Sequence, residues 1–96
     1  MLTTKERAVL KGVAVNLSPI MQIGKDGLTD NVLNQIDELL YNREIIKINI
    51  LKNCDYNSKE AIQLICEKLN CEPVQAIGNK VVVYKYSNKK EIKHIL

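Results

Sequence analysis

Residues 20–29 read Ile20-Met21-Gln22-Ile23-Gly24-Lys25-Asp26-Gly27-Leu28-Thr29 and hold a Gly-x-x-Gly turn. The apolar run before Gly24 is short and stops at that glycine, which predicts a buried strand. The hydroxyl of Thr29 can accept a hydrogen bond from the first turn of a following helix. The stretch therefore predicts a strand, a tight turn and a helix, with the main chain uncovered at both glycines.

Periodicity and cap signals on either side of this stretch predict the remaining elements. Thr3 with Glu6 and Asn57 with Glu60 have the spacing of capping boxes. Gly78-Asn79 is a two-residue hairpin signal. The predicted helices run from Thr4 to Leu17, from the Thr29 cap to Asn42 or Arg43, and from the Asn57 cap to Asn70, and the predicted strands are Ile20–Ile23, Ile45–Leu51, Pro73–Ile77 and Val81–Tyr86.

The order α-β-α-β-α-β-β in 96 residues predicts one α/β domain with a four-stranded mixed sheet. Strand–helix–strand connections favour parallel neighbours, whereas the last hairpin must be antiparallel. The pattern leaves open whether the first helix joins the other two or covers the opposite face. We expect the domain to span residues 1–86 and residues 87–96 to form a loose, basic C-terminal tail with a solvated His94.

Composition excludes several classes of protein. The chain is 46% hydrophobic with a net charge of +3, which is too apolar for a disordered protein. It has neither an apolar run of about 18 residues for a membrane span nor an apolar N-terminal signal segment, so we expect a cytoplasmic protein. Cys54, Cys66 and Cys71 are odd in number and lack a Cys-x-x-Cys pair. Structural thiols are expected, with no metal and no cofactor.

Catalysis has little support in the sequence. No serine or cysteine has an evident histidine partner, and the adjacent carboxylates Asp37 and Glu38 do not face each other on a helix. The glycine turn is shorter than a Walker loop and lacks the third glycine of a dinucleotide fingerprint. The sequence therefore predicts a protein that is not an enzyme and has no small-molecule substrate.

The glycine turn is a candidate phosphate site. A helix start offers unpaired N–H groups and a partial positive charge, and Lys25 adds a cation at the tip. Arg7 and Lys11 lie on one flank of the first helix, and residues 1–27 and 74–96 are basic whereas residues 28–46 are acidic. Asp26 and Asp30 oppose this interpretation, and a tight turn without a ligand remains the alternative.

Four spaced stretches carry a family likeness: Leu2-Thr3 with Arg7, Leu10 and Ala14; Pro19 to Asn31, which contains the glycine turn; Ile46-Lys47-Ile48 with Leu51-Lys52-Asn53-Cys54; and Gln75-Ala76-Ile77-Gly78 with Lys80-Val81-Val82-Val83-Tyr84-Lys85. On these residues the chain resembles the CRM domain, the chloroplast RNA splicing and ribosome maturation domain, in its stand-alone bacterial YhbY-type form. The likeness covers residues 2 to about 86. Val15 and the Tyr84-Lys85 end of the last strand depart from the usual pattern.

The resemblance implies a fold similar to the C-terminal domain of translation initiation factor 3. It also implies binding of RNA, namely ribosomal RNA in large-subunit precursors, and a role in ribosome assembly. We expect the protein to be a monomer. Phosphates would be held by the loop amides from Lys25 to Leu28. The expected RNA-binding residues are Gly24, Lys25, Asp26, Gly27, Leu28, Arg7, Lys11, Lys5, Lys52 and Lys80.

Two other functions are compatible with the residues. A protein-interaction adaptor on ribosomal particles would use the acidic second helix or an open sheet face bearing Lys47 and Asn49. An enzyme acting on a small phosphorylated substrate would need a base or nucleophile, and the sequence offers none that we can name. Neither alternative involves a membrane.

Overall fold

A four-stranded sheet with helices on both faces forms the body of the protein. The computed structural model describes residues 2–96, so Met1 of the predicted domain lies outside the described residues. The elements are α1 (Thr4–Val15), β1 (Met21–Ile23), α2 (Asp30–Arg43), β2 (Ile45–Ile50), α3 (Ser58–Leu69), β3 (Glu72–Ile77) and β4 (Lys80–Tyr84). The predicted α-β-α-β-α-β-β order and the mixed sheet are confirmed, with boundaries within two residues of the expected ones.

All three helices begin at the predicted caps. The Thr3 hydroxyl accepts from the Glu6 amide at 3.0 Å while the Glu6 carboxylate accepts from the Thr3 amide. Asn57 and Glu60 form the same reciprocal pair at the start of α3. These side chains satisfy amides that a helix start leaves without partners.

No helix within residues 2–96 has both the length and the apolar character needed to cross a membrane.

The strand order is β1-β2-β4-β3. β1 and β2 are parallel neighbours, as predicted. The expected pairing of β2 with β3 is wrong, because β4 lies between them and is antiparallel to both. Val81, Val82 and Val83 are apolar at consecutive positions, and such a strand is stable only where both faces are covered. β3 carries Pro73 and a register shift, features typical of an edge strand.

Helices cover the sheet on both faces, which settles the position of α1. One core joins α2 and α3 to Ile46, Ile48 and Ile50. The other packs Leu10 and Ala14 of α1 against the opposite face, on a smaller cluster formed by Ile45, Val74, Val82 and Tyr84. The domain is therefore a three-layer sandwich. The face bearing Lys47 and Asn49 is not open as expected, since both residues are half-buried on the side that α1 covers.

The segment after β4 is anchored to the domain, so the prediction of a loose tail is wrong. Ser87 is buried, and its amide donates to the Glu44 carboxylate at 2.8 Å. The amide of Ile95 donates to the same carboxylate, and His94 Nδ1 lies 2.8 Å from it. The His94 ring also stacks on Tyr86 at 4.7 Å, so this histidine is not a free solvated residue. Periodicity cannot predict such an anchor, because one side chain provides it.

The anchoring residue Glu44 is fully buried at the C-terminal cap of α2. Burial alone would raise the pKa of its carboxyl group, but hydrogen bonds from Ser87, His94 and Ile95 outweigh burial and lower it. The ionised form is therefore more stable in the folded protein than in the unfolded chain. The ionised Glu44 carboxylate therefore stabilises the folded protein at pH values above the ordinary Glu pKa of 4.5. This stabilisation is lost as the pH falls through the lower pKa of the carboxyl group in the folded state.

We expect Glu44→Gln to lower the free energy of unfolding at pH 7 by about 1–3 kcal/mol, because it weakens hydrogen bonds to a buried charged acceptor. The difference from the wild type should shrink as the pH falls below about 4.5, where the wild-type carboxylate also becomes protonated. Urea denaturation at a series of pH values measures both effects. Glu38→Gln, on the exposed face of α2, is the matched control and should leave stability unchanged. Parallel stability curves for wild type and Glu44→Gln would contradict this account.

Candidate functional site

The glycine loop, Gly24–Gly27 with Leu28, projects from one end of the sheet. β1 ends at Ile23, whose carbonyl accepts a hydrogen bond from the Leu51 amide at 2.9 Å. The chain then turns back, and the Gly27 amide donates to the Gly24 carbonyl at 3.0 Å. Lys25 and Asp26, at the tip, are exposed. The loop is therefore a closed four-residue turn with a solvent-facing tip, as the sequence predicts.

The two glycines differ in their backbone conformation and in their surroundings. Gly27 has a φ of +69°, in the left-handed region that favours glycine, and a Cβ there would lie 3.4 Å from the Tyr56 ring. Gly24 does not have a positive φ, so its backbone conformation is open to other residues. A Cβ at Gly24 would instead lie 3.4 Å from Asn53 Oδ1 and Leu51 Cδ1. A Cβ at Gly24 would thus make ordinary contacts with flexible side chains of the neighbouring loop.

Main-chain amides at the loop can bind an anion, with one fewer donor than expected. The Gly27 amide is occupied by the turn, so it cannot join a cradle running from Lys25 to Leu28. Across residues 2–96, the amides of Lys25, Asp26 and Leu28 have no hydrogen-bond acceptor. The loop leads directly into α2, whose cap Thr29 accepts from the Val32 amide at 3.2 Å. Uncommitted amides at a helix start favour negatively charged ligands.

Two further lysines lie at the loop end of the sheet. Lys52 directly follows Leu51, whose amide is bonded to the end of β1. Lys80 begins β4 and pairs with Asn49 near the end of β2. Both side chains are exposed. The structure therefore brings Lys25, Lys52 and Lys80 to one end of the molecule, although they are far apart in the chain.

Residues 51–58 form the support behind the glycine loop. An open groove between this segment and the β3–β4 hairpin is lined by Lys52, Tyr56 and Asn79 among others. Tyr56 is half-buried against the core, and its ring lies beside Gly27, 3.4 Å from where a Cβ on that residue would be. The sequence reasoning did not single out Tyr56, because its role depends on a contact between segments nearly thirty residues apart. Asn53 lay within a family-like stretch, which was the only signal available for it.

The predicted cations of α1 lie elsewhere. Leu2 and Glu6 line a surface groove with Tyr84, and burial together with the Glu44 and Glu6 carboxylates raises the pKa of Tyr84. Tyr84 pairs with Ile45, about 17 Å along β2 from the loop end at about 3.3 Å per residue. The first turn of α1, with Lys5 and Arg7, is therefore at the other end of the sheet. Lys11 lies one helical turn farther along the same flank of α1 as Arg7.

Part of the Arg7 side chain is packed against the protein. Its side chain is half-buried, and its Nε is shielded from solvent without a hydrogen-bond acceptor in the described part of the chain. Lys5 and Lys11 are exposed. Of the three cations on α1, the two lysines are therefore the most accessible to a ligand.

A scan against family models matches residues 2–85 to the CRS1/YhbY (CRM) domain. The chain belongs to the CRM-domain family. The matched region runs from before α1 to just after β4. The segment anchored by Glu44 lies beyond it, so the CRM domain here carries an additional packed C-terminal segment.

Two relatives of this CRM protein and one solved structure are similar to it over nearly their whole length. A protein of Bacillus subtilis named "Probable RNA-binding protein YqeI" is 41% identical over 91 residues, which cover 95% of each chain. A Haemophilus influenzae protein named "RNA-binding protein" is 35% identical, over 95% of this chain and 92% of its own. The solution structure of the Staphylococcus aureus protein SAV1595 matches with a TM-score of 0.71 and 39% identity, covering 95% of both chains.

The side chains around the loop of this CRM protein are hydrogen-bond donors, cations and scattered carboxylates. Residues 2–96 hold no group of three or more His, Cys, Asp or Glu side chains arranged to bind a metal ion. Carboxylates do lie near the loop, since Asp26 is at its tip, Asp30 opens α2 and Asp55 lines the groove. The arrangement can therefore donate hydrogen bonds and place cations around an anion, with acidic groups interspersed.

Alanine substitutions at three glycines test the backbone account of the loop. We expect Gly27→Ala to lower the free energy of unfolding by about 1–2 kcal/mol, because alanine is disfavoured at positive φ. Gly12→Ala, in an exposed helix with nothing within 4 Å of the new Cβ, should raise it by about 0.5–1 kcal/mol. Denaturant titration of the wild type and of the Gly27→Ala, Gly12→Ala and Gly78→Ala variants measures these differences.

Gly78→Ala separates the two effects at Gly27. Gly78 has a φ of +60° but open space around a Cβ, so it should show the backbone cost alone. A loss at Gly27 no larger than that at Gly78 would mean that the Tyr56 contact adds nothing. No loss at Gly27 would overturn the role of its left-handed conformation.

Proposed function

We propose that this CRM protein binds RNA through its glycine loop, and that its target is ribosomal RNA in precursors of the large ribosomal subunit. The observation that carries the proposal is the exposed Gly24–Gly27 turn, with uncommitted amides leading into α2 and Lys25, Lys52 and Lys80 at the same end of the sheet. The names of its relatives as RNA-binding proteins support the RNA-binding part of the proposal.

The chemistry of the loop suits a phosphate of the RNA backbone. Amides of Lys25 and Asp26 at the tip and of Leu28 donate hydrogen bonds to phosphate oxygens. The three lysine ammonium groups neutralise neighbouring phosphates and release condensed counterions. Such contacts fix the position of the strand and carry little base information, so recognition depends on RNA shape. The role is binding without catalysis.

Binding extends beyond the loop end. Asp26, Asp30 and Asp55 offset part of the lysine charge there, so the loop end alone is a weak polyanion site. The exposed Lys5 and Lys11, with Arg7, supply further cations on α1, and the first turn of that helix lies about 17 Å away along the sheet. We infer that one RNA segment of several nucleotides contacts both groups. The protein acts as a cytoplasmic monomer in this scheme.

The ribosomal target is tested by crosslinking in cells followed by sequencing of the bound RNA. We expect reads to concentrate on precursor forms of large-subunit ribosomal RNA. Nuclease treatment of ribosomal particles should release the protein. Retention after complete RNA digestion would instead support a protein-interaction adaptor, whose contacts would lie on the exposed acidic residues of α2.

A pair of substitutions at Gly24 tests the loop directly. We expect Gly24→Asp to reduce affinity by at least tenfold, because a carboxylate beside the phosphate costs about 1.4 kcal/mol or more. Gly24→Ala introduces the same Cβ without the charge, and it should retain affinity within about threefold because Asn53 and Leu51 are flexible side chains. Filter binding to transcripts tiling the large-subunit ribosomal RNA gives both values. Full affinity in Gly24→Asp, with the protein folded, would refute the role of the loop.

The salt dependence of binding measures the contribution of the loop-end lysines. With about six phosphates neutralised, the slope of log K against log salt should be about −4. The triple variant Lys25→Ala, Lys52→Ala, Lys80→Ala should flatten this slope by about 2, because about three phosphate contacts are lost. Titration of the same transcript at several salt concentrations provides the slopes.

A triple variant on elements outside both proposed contact groups, the loop end and α1, is the control for total charge. Lys68→Ala, Lys90→Ala, Lys93→Ala removes the same charge from exposed positions on the last turn of α3 and on the anchored C-terminal segment. Its slope should match that of the wild type. Equal slopes for the two triple variants would show that binding depends on net charge and not on the loop end.

A further inference from the structure

Two cysteine thiols meet where α3 turns into β3. Cys66 lies in the last turns of α3, and Cys71 follows the helix cap Asn70. The Cys71 Sγ lies 3.6 Å from the Cys66 Sγ and donates a hydrogen bond to it. The main chains are also joined, because the Cys71 amide donates to the Cys66 carbonyl at 3.2 Å. The αL conformation of Asn70, with a φ of +54°, brings the two residues together.

The pair differs in exposure in a way that suits sequential reaction. Cys66 is half-buried and Cys71 is buried at 7% exposure. The Cys71 thiol stabilises the Cys66 thiolate and lowers the pKa of Cys66, against burial and the Glu72 charge, which raise it. The hydrogen bond to Cys66 and burial raise the pKa of Cys71. Cys66 is therefore the thiol that ionises first and that a reagent can reach.

We propose that Cys66 and Cys71 are a site of reversible thiol–disulfide exchange, which closes an intramolecular disulfide when the protein meets a small disulfide such as oxidised glutathione. A disulfide needs the sulfurs about 2.05 Å apart, so they must approach by about 1.5 Å. Side-chain rotation can supply this movement because the backbones are already joined by a hydrogen bond.

The exchange proceeds in two balanced steps. The Cys66 thiolate attacks one sulfur of oxidised glutathione, and the first glutathione leaves as a thiolate that takes up a proton. Cys71 then loses its proton and attacks the Cys66 sulfur of the mixed disulfide, which releases the second glutathione. Two protein thiols are oxidised to one disulfide, and the external disulfide is reduced to two thiols.

Cys54 provides an internal comparison. It is also a free, half-buried thiol, but it lies before α3, in which Cys66 is about 12 Å along the axis from Ser58 at about 1.5 Å per residue. Cys54 therefore cannot reach Cys66 or Cys71 in the folded protein. The pair also lies at the end of the sheet away from the glycine loop, because Glu72 next to Cys71 pairs with Tyr84. The proposal thus does not depend on the role of the glycine loop.

The test uses folded Cys54→Ser protein in native buffer with a mixture of oxidised and reduced glutathione, stopped by alkylation. We expect a product lighter than the reduced protein by two hydrogen atoms, with neither cysteine alkylated. Trypsin cleaves after Lys68, between the two cysteines, so the product should yield two peptides joined by a disulfide. The glutathione adduct should remain below about a tenth of the product, because ring closure is intramolecular.

Single-cysteine proteins complete the test. With Cys54→Ser, the Cys71→Ala variant should accumulate the glutathione adduct on Cys66, and the Cys66→Ser variant should react slowly because Cys71 is buried. If circular dichroism shows that Cys71→Ala does not fold, the comparison uses the Cys66→Ser variant alone, because Cys66 is only half-buried. A Cys54→Ser protein that stays reduced, stops at the mixed disulfide or forms a disulfide-linked dimer would overturn the proposal.

Discussion

The structure depends on the antiparallel pairing of β2 with β4, two strands that are buried on both faces. Ile45 and Val82 face α1, while Ile46 and Val83 face α2 and α3. Because successive residues of a strand point to opposite faces, each strand contributes to two separate cores. Replacing one of these residues with a polar side chain would place an unsatisfied group in one core or the other. The central pair therefore fixes where every helix must lie.

The glycine loop gains its position from the same pair while remaining exposed. β1 has only three residues, and it is held at the edge of the sheet by parallel pairing with β2. Its short length ends the strand at the sheet boundary, so the turn extends beyond the core. Leu51, Asn53 and Tyr56 support the loop from behind without covering its tip. A rigid frame thus presents main-chain groups that a longer strand would have used in the ladder.

Local signals explain why so much of the fold could be predicted from the sequence. Caps at Thr3, Thr29 and Asn57 are determined within four residues, and each begins the expected helix. The features that escaped prediction are non-local. The insertion of β4 between β2 and β3 depends on which strand tolerates burial on both faces. The anchoring of the C-terminal segment depends on one carboxylate, Glu44, which accepts from residues more than forty positions away.

The candidate site follows the same division. The loop with Gly24, Lys25 and Gly27 could be identified from spacing and family likeness, since its conformation is local. The hydrogen bond that occupies the Gly27 amide and the position of Tyr56 behind the loop could be seen only in the three-dimensional structure. The distance that separates Lys5 and Arg7 from the loop could likewise be seen only in the structure. A helical wheel gives the flank of a helix on which a side chain lies but not the end of the sheet at which that flank rests.

The central position of β4 has a consequence for synthesis of the chain. β4 is the last element in sequence, yet both cores contain its side chains. While the polypeptide emerges N-terminus first, β2 has no partner on one side and α1 has little apolar surface to cover. The nascent domain therefore cannot complete either core until β4 has left the ribosome. Folding becomes a late, concerted event that is governed by contacts distant in sequence.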